Sequence, residues 1–167
     1  MQPSEFVKKY LPHARATEAK TGISAVAILA QAALESGWGE AAPGNAFFGV
    51  KDTDGVNGNE QLLTTTEYSR RADLKFPVII SVTPIVRNGV KMFRYKVKDY
   101  FRKYSTAEEC FTNHAQFFLK NKRYTEALSV KHNPVLFARA IAQAGYATAP
   151  DYAKVLTGVI NTIEKLV

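Results

Sequence analysis

Cysteine occurs once in this chain of 167 residues, at Cys110, which excludes an internal disulfide and a cysteine-built zinc site. Histidine is scarce too. His13, His114 and His132 lack the spacing of metal ligands, and neither a metal nor an organic cofactor is expected. Long hydrophobic runs are missing: the longest apolar stretches, residues 25–34 and 76–86, are too short to span a bilayer. The opening MQPSEFVKKY has no apolar core of the signal-peptide kind, so the chain as written is expected to be soluble, without membrane insertion. Acidic residues are in deficit, 15 Asp+Glu against 22 Lys+Arg, for a net charge of +7. That excess favours an anionic partner, and nucleic acid, anionic lipid and anionic wall polymer all qualify. What is present, 46% hydrophobic and 22% charged residues, is ordinary for one globular domain able to bury its own core.

Helical periodicity over residues 4–20 puts Phe6, Val7, Tyr10, Leu11 and Ala14 on one face, and Thr21-Gly22 ends the run. Ser24 is the expected N-cap of a second helix that runs to about Ser36 and stops at Gly37 and Gly39. Gln31 is its only polar side chain between Ala25 and Leu34, the mark of a helix inside a core. Residues 41–59 read as loop, apart from Phe47-Phe48-Gly49-Val50. Strands are predicted at 62–68, 78–86 and 90–98, the last two joined across Arg87-Asn88-Gly89, since Asn-Gly is the strongest short hairpin signal. Pro77 and Pro84 mark the middle strand as an edge or a bulge. In the last strand Phe93, Tyr95 and Val97 alternate with Met92, Arg94, Lys96 and Lys98, giving one apolar and one basic face.

Ser105 is expected to cap the next helix through a capping box with Glu108, ahead of Cys110, Phe111, His114, Phe117 and Phe118 at helical spacing. A short helix near 125–129 follows, then one opened by Asn133-Pro134 and ended by Gly145, and a last one from Pro150 to about Leu166. The expected class is α+β: one domain over residues 1–167, with a helical lobe (1–59 and 105–167) and a small antiparallel β-hairpin lobe (about 60–104).

Among the carboxylates, Glu35 has the setting of a proton donor. It lies in the last turn of the buried helix, where the negative end of the helix dipole and desolvation by the core both oppose ionisation and raise its pKa. A carboxyl group kept protonated near neutral pH is what protonates a leaving oxygen. The plainer reading is a glutamate that swings into solvent past the helix end. A second carboxylate, as glycoside hydrolysis usually requires, is best sought at Glu67, which ends the run Thr64-Thr65-Thr66 on a strand; its plainer reading is an exposed residue paired with a lysine. Glu40, Asp52 and Asp54 sit in loop and rank lower. Trp38, Phe47, Phe48, Tyr68 and Tyr152 have rings that could stack on sugars, although Trp38 and Phe48 read equally well as braces of the loop after Glu35. Ser36 has no histidine close in sequence to activate it, and His114, on an apolar helical face, reads as a satisfied core histidine.

Five ordered segments carry a resemblance across nearly the whole chain: residues 27–39, AILAQAALESGWG, then Phe47-Phe48-Gly49-Val50-Lys51, Thr65-Thr66-Glu67-Tyr68, Phe101-Arg102-Lys103-Tyr104-Ser105 and Ala144-Gly145-Tyr146-Ala147-Thr148. Together they resemble glycoside hydrolase family 73, the N-acetylglucosaminidase domains that cut peptidoglycan. The resemblance implies a lysozyme-like helical lobe, a β-hairpin lobe and a sugar-binding groove. It implies Glu35 as catalytic acid, Glu67 as second functional carboxylate and Tyr146 as an active-site tyrosine. The substrate-binding candidates, Trp38, Asn45, Phe48, Tyr68 and Tyr152, are a separate reading, the rings for stacking on sugars. The chain departs from the family's pattern at Ala46, where Asn is common, and at Ala149, where Asp is common. The strand pair around Asn88-Gly89 is longer than the family's usual short hairpin.

The chemistry so implied is hydrolysis of the β-1,4 bond after N-acetylglucosamine, with Glu67 activating water or stabilising developing charge. Alternatives are a lytic transglycosylase or a muramidase acting on the same glycan, and, outside enzymology, a basic β-ribbon that binds nucleic acid through phosphates and base stacking; no nucleic acid is expected as partner. A monomer acting on the bacterial wall, in the periplasm or outside the cell, is expected. A phage endolysin, a virion-associated lysin or a domain of a larger exported or flagellar protein would all suit it. The charge excess is local: residues 69–103 hold ten Lys+Arg against Asp73 and Asp99, while the remainder carries 12 basic and 13 acidic residues. The β lobe is therefore expected to face an anionic envelope surface.

Overall fold

The computed structural model describes residues 1–54 and 56–167, which form two compact units, Met1–Phe48 with Tyr104–Val167, and Gly49–Lys103. The first is helical. It contains α1 (Pro3–Thr21), α2 (Ala25–Ser36), α3 (Ala107–Lys120), α4 (Thr125–Leu128), α5 (Pro134–Gln143) and α6 (Tyr152–Glu164), with short 3-10 turns at Pro43–Asn45 and Lys122–Tyr124. Helix α2 is the centre of this unit: it packs against α1, α5 and α6, and every residue from Ala27 to Ala33 is buried. Its alanines keep it thin, so neighbouring helices approach closely, while Phe6, Phe47, Phe111, Phe118 and Phe137 fill the space around it. Each such ring withdrawn from water contributes roughly 1.5–3 kcal/mol.

The helix ends follow local chemistry. Ser24 Oγ accepts from Ala27 N at 3.2 Å and Asn133 Oδ1 from Leu136 N at 3.1 Å, the expected caps of α2 and α5. Gly22 closes α1 in the left-handed region, φ 75°. The start of α3 differs from expectation. Its cap is Thr106, whose Oγ1 accepts from Glu109 N at 3.1 Å, and Glu109 reaches back to the amide and hydroxyl of Ser105. Ser105 and Thr106 can both cap; the choice falls on Thr106 because Glu109, not Glu108, then occupies the third helical position. Helix α6 begins at Tyr152, two residues beyond Pro150.

The second unit is a three-stranded antiparallel sheet of β1 (Glu60–Ser69), β2 (Val78–Arg87) and β3 (Val90–Arg102), in the order β1-β3-β2. The β2–β3 hairpin turns at Asn88-Gly89, both at positive φ (51° and 77°), as a tight two-residue turn requires. Strand β2 is an edge, and its register with β3 shifts between Ile79 and Ser81, so the prolines bracket an edge that is also bulged. Tyr95 and Val97 are buried while Arg94, Lys96 and Lys98 are exposed, the predicted division of faces. Residues 50–52 belong to this unit: Arg102 N donates to Val50 O at 2.8 Å and Asp52 N to Tyr100 O at 3.0 Å. The fold class is α+β, as the sequence predicts.

Candidate active site

Glu35 stands in the last turn of α2, just before Gly37 (φ 58°) and Trp38 (φ 58°) carry the chain through two left-handed residues. A tryptophan at positive φ is unfavourable by itself, and the local packing holds it: its ring sits edge-on to Phe6 at 5.5 Å between centroids. Ser36, buried, donates to Ala32 O and accepts from Gly39 N at 2.9 Å, so its hydroxyl is spent on the same turn. These contacts aim Glu35 out of the helix end.

Tyr146 meets it. Gly145 at φ 87° ends the run of α5 and turns the chain, and Tyr146 packs against Phe118 (5.4 Å), Tyr152 (5.5 Å) and His114 (6.0 Å). Its hydroxyl lies 3.1 and 3.0 Å from the two carboxylate oxygens of Glu35. Burial by this aromatic wall pushes the Glu35 pKa up to about 7, against the opposing effect of hydrogen bonds from Tyr146 and Tyr152. The residue keeps an exposed side, so the carboxyl is desolvated by its surroundings and still reachable. The phenols of Tyr146 and Tyr152 are pushed well above their usual range, by burial first and by the neighbouring carboxylate second, and stay protonated as donors.

Behind them lies a buried polar relay. Gln31 is one turn before Glu35 on α2; its Nε2 donates to the Tyr152 hydroxyl at 3.2 Å, and its Oε1 accepts from His114 Nε2 at 3.0 Å. Burial lowers the His114 pKa far below the usual histidine range, so the ring is neutral, and because the Gln31 oxygen can only accept, the contact calls for the proton on Nε2. With its lone pair taken by Gln31, the Tyr152 hydroxyl can turn its proton toward Glu35. His114 stacks on Phe48 at 3.7 Å, which makes Phe48 a brace of this relay. A lone polar side chain in an otherwise apolar helix was the only sequence sign of Gln31's part; the pairing with His114 had none.

A titration follows from the signs. Tyr146 donates to the charged carboxylate and thereby lowers the Glu35 pKa, so Tyr146→Phe should move the Glu35 midpoint upward, above about 7. Carboxyl NMR across the pH range measures this, and a midpoint that falls would show that the hydroxyl does not serve the charged form.

The structure brings Glu35, Tyr146 and Tyr152 together in the helical unit. Asn45, at φ 57° there, uses its amide to donate to Tyr104 O at 3.0 Å. Glu67 and Tyr68 are on β1 of the other unit. Lys51 Nζ lies 2.7 Å from Glu67 Oε1 and 3.2 Å from Asp99 Oδ2, and the Arg87 guanidinium lies 4.1 Å from the Tyr68 ring centroid. Glu67 thus does pair with a lysine, one supplied by the 50–52 segment. Among the described residues no group of three His, Cys, Asp or Glu gathers to hold a metal ion, and no helix is long and apolar enough to cross a membrane.

Comparison with known proteins agrees with this architecture. The chain is 30% identical to peptidoglycan hydrolase FlgJ of Vibrio cholerae over 96% of its length, covering 44% of that protein. It is also 30% identical to exo-glucosaminidase LytG of Bacillus subtilis, over 93% of the chain and 50% of LytG. The chain thus spans half or less of the length of these relatives. A solved structure, the C-terminally truncated glycoside hydrolase domain of Salmonella typhimurium FlgJ, superposes with a TM-score of 0.74 at 32% identity, covering 98% of this chain and 99% of that one. Over residues 11–165 the chain matches the glucosaminidase family, described as mannosyl-glycoprotein endo-beta-N-acetylglucosaminidase, and it belongs to that family of glycoside hydrolases.

Proposed function

We propose that the chain is a peptidoglycan hydrolase that cleaves the β-1,4 bond after N-acetylglucosamine within the glycan strand, with Glu35 as general acid. The observation that carries this reading is a carboxyl group at the end of a buried helix, reachable from solvent, with its pKa pushed up to about 7 beside two phenols. Protonated Glu35 gives its proton to the glycosidic oxygen as the C1–O bond breaks, and the alcohol leaves. The oxocarbenium-like centre is then relieved by water or by the substrate's own acetamido oxygen, which water later displaces. Glu67 is proposed to activate that water or to stabilise the developing charge, and Lys51, with its own pKa raised by the Glu67 contact, keeps a positive charge against it. Trp38, Asn45, Phe48, Tyr68 and Tyr152 remain the proposed substrate contacts.

The same acid would serve a transglycosylase or a muramidase, so the products decide. Digestion of purified peptidoglycan followed by mass spectrometry should yield a reducing N-acetylglucosamine end. A 1,6-anhydromuramyl end or a reducing muramic acid end would reject the proposed bond. The proposed place of action is the bacterial cell wall. There the basic sheet unit is proposed to hold the enzyme on an anionic envelope surface, since cations clustered on one lobe favour adsorption while the nearly neutral remainder does not.

A further inference from the structure

The sheet has two unlike faces. Directly paired residues share a face, and the register sets Thr64, Thr66 and Tyr68 of β1 beside Lys98, Lys96 and Arg94 of β3, with Val78, Ser81 and Thr83 of β2 on the other side. Leu62 and Tyr100 pair at one end of this face. The acids Glu67 and Asp99 lie on the opposite face, where Lys51 neutralises them. Among the described residues of the three strands, the first face between Leu62 and the hairpin turn therefore carries a central cationic stripe and no carboxylate. Arg94, Lys96 and Lys98 are exposed, and so are the apolar or aromatic residues around them, Leu62, Tyr68, Val78 and Tyr100. Ile79, Val82 and Val86 of the edge strand are exposed too, but they pair with Val97, Tyr95 and Lys91 and belong to the opposite face.

Exposed apolar side chains grouped at Leu62, Tyr100 and Val78 beside an open sheet edge are a liability unless something covers them. A second copy of this chain paired along β2 would bring two such cationic stripes side by side, which like charge opposes. A dissolved polyanion would engage the cations and leave Leu62 and Val78, with the rings of Tyr68 and Tyr100, in water. An anionic bilayer satisfies both chemistries: cations reach lipid phosphates, tyrosines sit at headgroup level, and short aliphatic side chains enter the acyl boundary.

We propose that this open face of the β1-β3-β2 sheet is a docking surface for an anionic phospholipid bilayer, adsorbed at the interface without spanning it. The proposal rests on the envelope-surface reading above and names the surface. It is tested by flotation of the whole chain with vesicles of phosphatidylcholine alone or mixed with phosphatidylglycerol, alongside binding to a soluble glycerol-phosphate polymer and to a single-stranded oligonucleotide. Binding to the mixed vesicles should exceed binding to neutral ones by at least about tenfold. Each surface cation contributes about fivefold, so Arg94→Gln with Lys96→Gln and Lys98→Gln should weaken it by about a hundredfold. Leu62→Ser with Val78→Ser, which leaves the charge unchanged, should weaken vesicle binding several-fold and polymer binding not at all. These side chains are exposed, and circular dichroism verifies that each variant is folded. Tight polymer or oligonucleotide binding with no preference for vesicles and no effect of the apolar pair would overturn the lipid assignment while the electrostatic reading stands. Absence of binding to all the probes would overturn both.

Discussion

Glu35→Gln should abolish turnover of purified peptidoglycan, with a loss of about 10²–10⁴-fold in kcat and little change in KM. An amide keeps the shape and the contacts with Tyr146 but has no proton to deliver, and a positioned general acid contributes an effect of that size. The wild-type rate should fall as pH rises through about 7, since only the protonated carboxyl acts, and the variant should lose that limb. Stability should move the other way. A carboxyl whose folded pKa is raised from 4.5 to about 7 binds more protons in the folded than in the unfolded state across that window. Stability is therefore lost as pH rises from about 4.5 to about 7, and Glu35→Gln removes the loss. Its Tm gain should be larger at pH 8 than at pH 5, a conflict between stability and chemistry expected of a residue kept for its reactivity. Near wild-type turnover in a folded variant would end the assignment of Glu35 as acid.

The part of the candidate site that lies on one helix is legible as a pattern. An apolar run broken only by Gln31, with a glutamate at its end and Gly37 and Gly39 just beyond, points both to a buried helix and to a carboxyl at its end. Partners from far along the chain were not readable. Gln31 reaches His114 and Tyr152 across 83 and 121 residues, pairings that leave no periodicity, and from sequence His114 is only a core histidine. Satisfied it is, but by the amide that orients the phenol beside Glu35. The cap of α3 shows the same limit at short range. Two adjacent residues could each fill the role, and the third-position glutamate decides between them. In the sheet unit, hairpin, edge and alternation followed from Asn88-Gly89, the two prolines and the period of two. The degree of exposure along β2 did not: an edge strand can still bury one face, yet Ile79, Ile80 and Val82 are all exposed.

Glu67→Gln should lower kcat by about one to two orders of magnitude while leaving KM and fold nearly intact. The loss is expected to be smaller than for Glu35, because breaking the glycosidic bond still has its proton donor, and water or the acetamido group can attack more slowly without help. Removing the charge frees Lys51 from its 2.7 Å contact, but Lys51 keeps Asp99 at 3.2 Å, and both members of the Glu67 pair are partly exposed. A pair in such a setting contributes at most about 1 kcal/mol, so Tm should shift little. Lys51→Met serves as the companion variant: it breaks the same contact yet leaves the carboxylate. If Glu67 acts through its charge at the reacting centre, Lys51→Met should retain most of the activity that Glu67→Gln loses. Equal losses in the two variants would instead make the ion pair a positioning element of β1. An unchanged rate in Glu67→Gln would move the second role to another carboxylate, with Asp52 and Asp54, in the loop ahead of β1, the next to replace.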